Sequence, residues 1–121
     1  MPSSDLLDLT TLQNLVDLDD GGFGLVAEMT VIFRDDTPRR LRDILLALET
    51  GEAETLSRSA HALKGGAGAI GAKALRALAA ELEALGRSGS AHAPEGMAEA
   101  LEATFQAAVA ALEDYVRREG K

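Results

Sequence analysis

The chain has 121 residues, of which 46% are hydrophobic and only 3% aromatic, and it contains no cysteine. This length suits one domain with a single core, and the many Ala and Leu residues favour closely packed helices over a sandwich or barrel. The net charge of −8 argues against nucleic acid and anionic membrane as partners, and the lack of cysteine excludes disulfides and thiolate metal sites. Without a signal-peptide pattern or an apolar run of transmembrane length, the sequence predicts a soluble cytoplasmic protein.

The N-terminal region is predicted to contain a loose tail and a short helix. Residues 1–8 form the tail, and the helix runs from about Leu9 to Leu18, where two aspartates and two glycines end it. The side chains that could cap the start of this helix are Asp8, Thr10 and Thr11.

A long helix is predicted next, from about Gly22 to Glu49. Its apolar positions alternate steps of three and four, and this pattern does not slip across Pro38. Because a proline inside a helix removes one hydrogen bond and usually bends the axis, we favour one long kinked helix. The alternative is a second helix that has Pro38 as its first residue and Asp36 or Thr37 as its N-cap.

Three further helices complete the predicted fold. The first follows Gly51 and ends near Gly71 in a left-handed cap. The second spans about 72–85, and the third spans about 94–118 after a Gly- and Ser-rich loop. Short connections make neighbouring helices antiparallel, so the sequence predicts an all-α, antiparallel up-down four-helix bundle with a short extra N-terminal helix.

The helix after Gly51 carries the clearest candidate site. His61 is followed by Lys64 three residues later and by Gly65 and Gly68 four and seven residues later, so all four lie on one helix face. Glycine costs a helix interior about 1 kcal/mol relative to alanine, so several glycines here require a reason. We infer that a second protein must come very close to His61.

The residue types on this face suit phosphoryl chemistry. A neutral imidazole can attack phosphorus, and a cation one turn along the helix can offset charge on the phosphoryl oxygens. His61 and Lys64 fit these two roles, while a partner protein would supply the metal and the acceptor carboxylate. Ser57 could hydrogen-bond the ring from one turn earlier, and Arg58 could add positive potential.

Simpler interpretations exist for each of these residues. A lone histidine is more often half-buried at the edge of a core, and the glycines could serve close packing between helices. His92 lies in the loop and is interpreted as inert. The acidic residues, Glu81 and Glu83 among them, are interpreted as parts of solvent-exposed helix faces. We expect nothing to pair with His61 as a base, an orienting group or a metal ligand, which argues against an enzyme with its own substrate pocket.

The run Ala60-His61-Ala62-Leu63-Lys64-Gly65, followed by Ile70-Gly71-Ala72 and Leu82-Glu83, resembles the histidine-containing phosphotransfer (HPt) domain. The resemblance implies a four-helix bundle with an exposed, phosphorylated histidine in mid-helix. In this sequence His61 would carry the phosphoryl group, Lys64 would interact with it, and Gly65 would keep the face open. The resemblance also implies a carrier without autokinase activity, which moves phosphoryl groups between aspartates of receiver domains in a multistep relay.

Partners and cofactors follow from the same resemblance. The expected partners are response-regulator receiver domains and a hybrid sensor kinase, docked on a face that includes Gly65, Gly68, Ser57 and Arg58. We expect a monomer with no cofactor of its own, since Mg²⁺ would belong to the partner receiver domain. Two alternatives stay open: a helical adaptor that binds without taking phosphate, and the phosphorylatable segment of a chemotaxis-type kinase.

Overall fold

The computed structural model describes residues 3–120, and every regular element in that range is a helix. The helices are α1 (Ser3–Leu6), α2 (Leu9–Leu18), α3 (Gly24–Thr50), α4 (Ala53–Ala69), α5 (Lys73–Arg87) and α6 (Met97–Glu119). Helices α3 to α6 form a four-helix bundle in up-down order, while α1 packs against α5 and α6 and α2 packs against α3. The predicted fold class is therefore confirmed.

Helix α2 has the predicted bounds, and its N-cap can now be assigned. The Asp8 carboxylate accepts hydrogen bonds from the backbone N–H groups of Thr10, at 3.1 Å, and Thr11, at 3.3 Å. These bonds satisfy two of the amide groups that the first turn of a helix leaves without an intrahelical partner. Asp8 is thus the cap among the three candidates.

The loose tail predicted over residues 1–8 is wrong where the structure describes it. Residues 3–6 are helical, and the side chains of Leu6 and Leu7 are buried in the core. The backbone N–H of Asp8 also donates to the carbonyl of Gly71 at 2.7 Å, which ties the segment to the turn between α4 and α5. Residues 1 and 2 lie outside the described range.

Helix α3 continues through Pro38, as the unbroken apolar phase predicted. Phe33 and Thr37 are buried before the proline, and Leu41 and Ile44 are buried after it. Because the same face is buried on both sides, packing against the core holds the helix together despite the hydrogen bond that proline cannot make. The alternative of a second helix starting at Pro38 is wrong.

The remaining helix ends differ little from the prediction. Gly71, with a φ of 75°, has the left-handed conformation expected after α4. Helix α6 begins three residues later than predicted, after Gly96, whose φ of 87° is incompatible with a helix. Helix α5 extends two residues beyond Leu85 and includes Gly86, which was expected in the loop.

Gly86 marks the closest approach of α4 and α5. A β-carbon at this position would lie 2.6 Å from the backbone nitrogen of Ser57 and 2.7 Å from the carbonyl oxygen of Ala53. The two helix backbones therefore touch, which only glycine permits. Since the helices are antiparallel, Glu83, about one turn before Gly86, faces His61, about one turn after Ser57.

We expect Gly86→Ala to lower the free energy of unfolding by about 1–3 kcal/mol, because the added methyl group must force the two backbones apart. Chemical denaturation measures this change. Gly66→Ala is the matched control: a β-carbon there would meet nothing within 4 Å, so helix propensity alone should raise stability by about 0.5–1 kcal/mol. Equal stability of Gly86→Ala and the wild type would contradict the close contact.

Candidate functional site

His61 lies in the middle of α4 with its ring directed outward. Ala60 and Leu63 belong to the buried stripe of this helix, whereas the His61 side chain, one position from that stripe, is 66% exposed. Among residues 3–120, no hydrogen bond reaches its Nε2 atom. The ring is therefore presented to solvent from a rigid helix, with one nitrogen free to react.

The other ring nitrogen is held by a buried carboxylate. Nδ1 of His61 lies 2.7 Å from Oε2 of Glu83, whose side chain is only 4% exposed. Two predictions were therefore wrong: Glu83 is not part of a solvated face, and His61 does have an orienting partner. The close contact of α4 and α5 at Gly86 brings the two side chains together.

Two cations share the same carboxylate. Lys64 Nζ lies 2.5 Å from Oε1 of Glu83, and Arg87 Nη2 lies 3.0 Å from Oε2. Lys64 reaches across from α4, three residues after His61, whereas Arg87 belongs to α5 and follows Glu83 by four residues. A buried carboxylate is tolerated only when it is paired and hydrogen-bonded, and these partners meet that condition.

The hydrogen bond from Lys64 is the main cause that lowers the pKa of Glu83, with smaller contributions from His61 and Arg87, and burial opposes them. Glu83 is therefore ionised at neutral pH, and an ionised carboxylate can only accept hydrogen bonds. Nδ1 of His61 must then carry the proton of that bond. In the neutral ring the lone pair lies on Nε2, the exposed nitrogen.

The glycines beside His61 differ in their surroundings. A β-carbon at Gly65 or Gly66 would meet nothing within 4 Å, so this part of α4 is open. At Gly68 a β-carbon would lie 3.1 Å from Nε of Arg76, a residue of α5. The open face predicted at Gly65 and Gly68 is therefore narrower at Gly68, which is partly exposed and has the arginine side chain close to it.

Two other predicted site residues have different neighbours from those expected. The backbone of Ser57 packs against Gly86, and Nδ1 of the ring donates its hydrogen bond to Glu83 and not to the Ser57 hydroxyl. Arg58 pairs with Glu54 at 3.0 Å on the exposed surface of α4. We do not include Arg58 in the site, since its guanidinium group is engaged away from Glu83.

An apolar groove of about 270 Å³ lies between α3 and α4, on the side of Gly66. Its lining includes Met29, Ile32, Phe33, Gly66, Ala69 and Ile70. Ile32 is 53% exposed although it is large and apolar. Exposed apolar surface of this kind, formed in part by the helix that carries His61, is typical of a place where another protein binds.

Sequence reasoning missed Glu83 and Arg87 as site residues, although two signals were present. Glutamate four residues before arginine is a favourable pair on a helix. Glu83 also lies between Leu82 and Gly86 on a stripe of apolar and small residues, the pattern of a face packed closely against another helix.

Neither a resident metal site nor a membrane span is found in the described range. No group of three or more His, Asp or Glu side chains within residues 3–120 is arranged to hold a metal ion. Over the same residues, no helix combines the length and apolar character needed to cross a bilayer.

The lowered pKa of Glu83 predicts an acid-dependent loss of stability. A carboxyl group whose pKa is lower in the folded than in the unfolded state stabilises the fold above its unfolded pKa, and this stabilisation is lost as the pH falls towards the folded value. The free energy of unfolding should therefore decline below about pH 5, where glutamate begins to protonate in the unfolded chain. Denaturation across a pH series measures it.

In Glu83→Gln the protein should be less stable at neutral pH, and its stability should depend less on acid. Glu81→Gln, which changes an exposed residue of the same helix, is the control and should keep the wild-type pH profile. An unchanged profile in Glu83→Gln would show that this carboxylate does not contribute to acid-linked stability.

Comparison with known proteins agrees with this geometry. The family model of the Hpt domain matches residues 28–118. Among solved structures, histidine-containing phosphotransfer protein B (HptB) from Pseudomonas aeruginosa PAO1 superimposes with a TM-score of 0.75 at 27% identity, over 93% of this chain and 95% of that chain. No curated protein sequence matches the chain.

A second solved structure shares the fold at lower identity. The histidine-containing phosphotransfer domain of ArcB from Escherichia coli superimposes with a TM-score of 0.74 at 18% identity, over 96% of this chain and 97% of that one. The family match extends from early α3 to the end of α6 and includes both helices of the site. The chain therefore belongs to the Hpt-domain family.

Proposed function

We propose that this Hpt-domain protein carries its phosphoryl group on Nε2 of His61, taking it from an aspartyl phosphate of one receiver domain and passing it to an aspartate of another. Membership of the family makes the chain a histidine phosphotransfer protein of a phosphorelay. The observation that supports His61 as the carrier is the contrast between its nitrogens: Nδ1 is bound to buried Glu83, whereas Nε2 is exposed.

The transfer step balances without an added base. Nε2 of the neutral ring attacks phosphorus, the bond between phosphorus and the donor aspartate oxygen breaks, and the donor carboxylate leaves with the electron pair. The proton on Nδ1 stays in place, so the phosphorylated ring is cationic and lies against the Glu83 carboxylate. The reverse step returns the phosphoryl group to a carboxylate and restores the neutral ring.

Lys64 and Gly65 serve this step in different ways. Lys64 supplies a cation within one helical turn of the ring and offsets negative charge on the phosphoryl oxygens. Gly65 adds no side chain to the face, so the partner backbone can approach closely enough for in-line attack. Mg²⁺ and the acceptor carboxylate belong to the partner in this proposal, and the carrier acts as a monomer without autokinase activity.

Receiver domains and a hybrid sensor kinase are the proposed partners, and two features of the surface favour their docking beside His61. The groove between α3 and α4 offers apolar contact next to the open glycines. Residues 53–87, which span α4 and α5, contain five basic and three acidic residues, although the whole chain has 12 basic and 20 acidic ones. The histidine face therefore repels an acidic, phosphorylated partner less than the rest of the surface does.

Incubation with a panel of labelled phospho-receiver domains tests the carrier residue. Label should appear on the protein in an acid-labile, base-stable form, because phosphohistidine has those properties. His61→Gln should abolish labelling, and His92→Gln, which changes the second of the two histidines, should retain it. Lys64→Ala should slow transfer by about tenfold or more while a folded protein remains, as expected for loss of one charge-stabilising group.

Binding of a phospho-receiver without any label would contradict the carrier role and favour the adaptor. Label that persists in His61→Gln would move the reaction to another residue. Lys64→Ala with the wild-type transfer rate would remove the lysine from the mechanism.

We expect Ile32→Lys to weaken docking of a receiver domain by about tenfold, since a charged chain in an apolar contact typically costs more than 1 kcal/mol. Leu46→Lys is the matched control: Leu46 is 57% exposed on the same helix but does not line the groove. Titration calorimetry with the receiver identified by labelling measures both dissociation constants. Equal weakening by the two substitutions would exclude the groove as the docking surface.

A further inference from the structure

Lys64 has two competing partners in the proposed reaction. In the structure its ammonium group is bound to Oε1 of Glu83 at 2.5 Å, on the inner side of the site. To offset charge on a phosphoryl group at Nε2, the ammonium group must face the exposed side of the ring. Lys64 therefore has to give up at least part of its contact with Glu83 when His61 is phosphorylated.

Departure of Lys64 takes one cation away from the buried carboxylate, which then depends on Arg87 and on the cationic phosphorylated ring. Removing one partner from a buried ion pair is destabilising, because the remaining charge is neither solvated nor compensated. Without Arg87, the phosphorylated ring would be the one cation left on Glu83, and a carboxylate with so few partners would take the Nδ1 proton or turn towards solvent. Either change would end the donation from Nδ1 that orients the ring. The orientation of the ring would then be lost in the state in which the phosphoryl group must be transferred.

Arg87 is placed to prevent this loss. Its guanidinium group lies 3.0 Å from Oε2 of Glu83, the same oxygen that accepts the hydrogen bond from Nδ1 of His61. Glu83 and Arg87 are four residues apart on α5, so their contact does not depend on any movement in α4. Arginine also remains charged at all relevant pH values and can bind both carboxylate oxygens.

We propose that Arg87 is a positioning residue that keeps Glu83 ionised and bound to Nδ1 while Lys64 moves from Glu83 to the phosphoryl group. This inference rests on the proposed carrier role of His61 and extends it. The site then works as a cation exchange: Lys64 and Arg87 share the carboxylate before phosphorylation, and Arg87 and the cationic phosphorylated ring share it afterwards.

The chain contains a closely matched control for Arg87. Arg58 makes the same kind of contact, a pair with a glutamate four residues away at 3.0 Å, and the two arginine side chains are 69% and 67% exposed. The pairs differ in the carboxylate: Glu54 is exposed and contacts neither His61 nor Lys64, whereas Glu83 is buried and contacts both. A comparison of Arg87→Gln with Arg58→Gln therefore isolates the link to the histidine.

The experiment uses the full chain carrying His92→Gln and ¹⁵N-labelled histidine, so that the ring signals come from His61 alone. Phosphoramidate serves as the donor: its phosphorus–nitrogen bond breaks, ammonia leaves, and Nε2 receives the phosphoryl group. Ring ¹⁵N spectra before and after phosphorylation report the hydrogen bond at Nδ1, and the growth of the phosphohistidine signal gives the rate. Thermal unfolding confirms that each variant is folded.

Arg87→Gln should keep the Nδ1 signal of the unphosphorylated protein, because Lys64 still holds Glu83, and should lose the hydrogen-bonded signal after phosphorylation. Its phosphorylation rate should fall by about tenfold, the scale of losing one charge-assisted hydrogen bond. Arg87→Lys should recover most of that rate. Arg58→Gln should stay within about twofold of the wild type, as expected for an exposed pair.

Two results would overturn the inference. Equal behaviour of Arg87→Gln and Arg58→Gln would remove any special role for Arg87. A change in the Nδ1 signal of Arg87→Gln that is the same before and after phosphorylation would indicate a general structural role without cation exchange. The carrier role of His61 is judged separately, by whether phospho-receivers label the wild type and not His61→Gln.

Discussion

The buried carboxylate of Glu83 is the constraint on which the arrangement of the site depends. Its two oxygens bind His61, Lys64 and Arg87, and the side chain is almost completely shielded from water. Its partners come from both helices, and the two from α4, His61 and Lys64, reach it because the helices nearly touch there. Gly86 permits that contact, because any β-carbon there would collide with the backbone of α4. The glycine therefore sets the distance between the helices, and at that distance the Glu83 carboxylate can bind His61 and Lys64 of α4.

Much of the fold could be predicted from the sequence because periodic burial determines it. The apolar phase that passes unbroken through Pro38 correctly indicated one helix, since packing on both sides outweighs one missing hydrogen bond. Periodicity alone left a half-buried ring possible for His61, and the resemblance to the HPt domain implied the exposed ring that the structure shows. The prediction failed for residues 5–8, because Leu6 and Leu7 share the helical spacing of the leucines that follow but were assigned to a loose tail, although both are buried.

The partner of His61 could not be identified from periodicity, since an acidic residue on an amphipathic helix is normally solvated. Glu83 is buried for a tertiary reason: antiparallel α4 presents a lysine and a histidine to it, 19 and 22 positions earlier in the chain. The residues next to Glu83 in the sequence do not indicate which residues of α4 will face it. For the same reason Gly68 was expected to be open, whereas the Arg76 side chain reaches it from α5. The burial of a residue was predicted well where it depends on the residue's own helix, and poorly where it depends on contacts from a second helix.

A carrier must accept a phosphoryl group and also release it, so strong stabilisation of the phosphorylated state would be a disadvantage. Uniformly tight binding of the phosphoryl group would deepen the intermediate and slow the second transfer. In this site Lys64 has a second anionic partner besides the phosphoryl group. The Glu83 carboxylate binds the ammonium group in the unphosphorylated protein. In the proposed transfer, the contact that Lys64 gains with phosphate is offset by the contact that it gives up with Glu83. On this proposal, phosphohistidine at His61 is stabilised less than it would be by an unpaired lysine, and the exposed Nε2 stays accessible to the next acceptor.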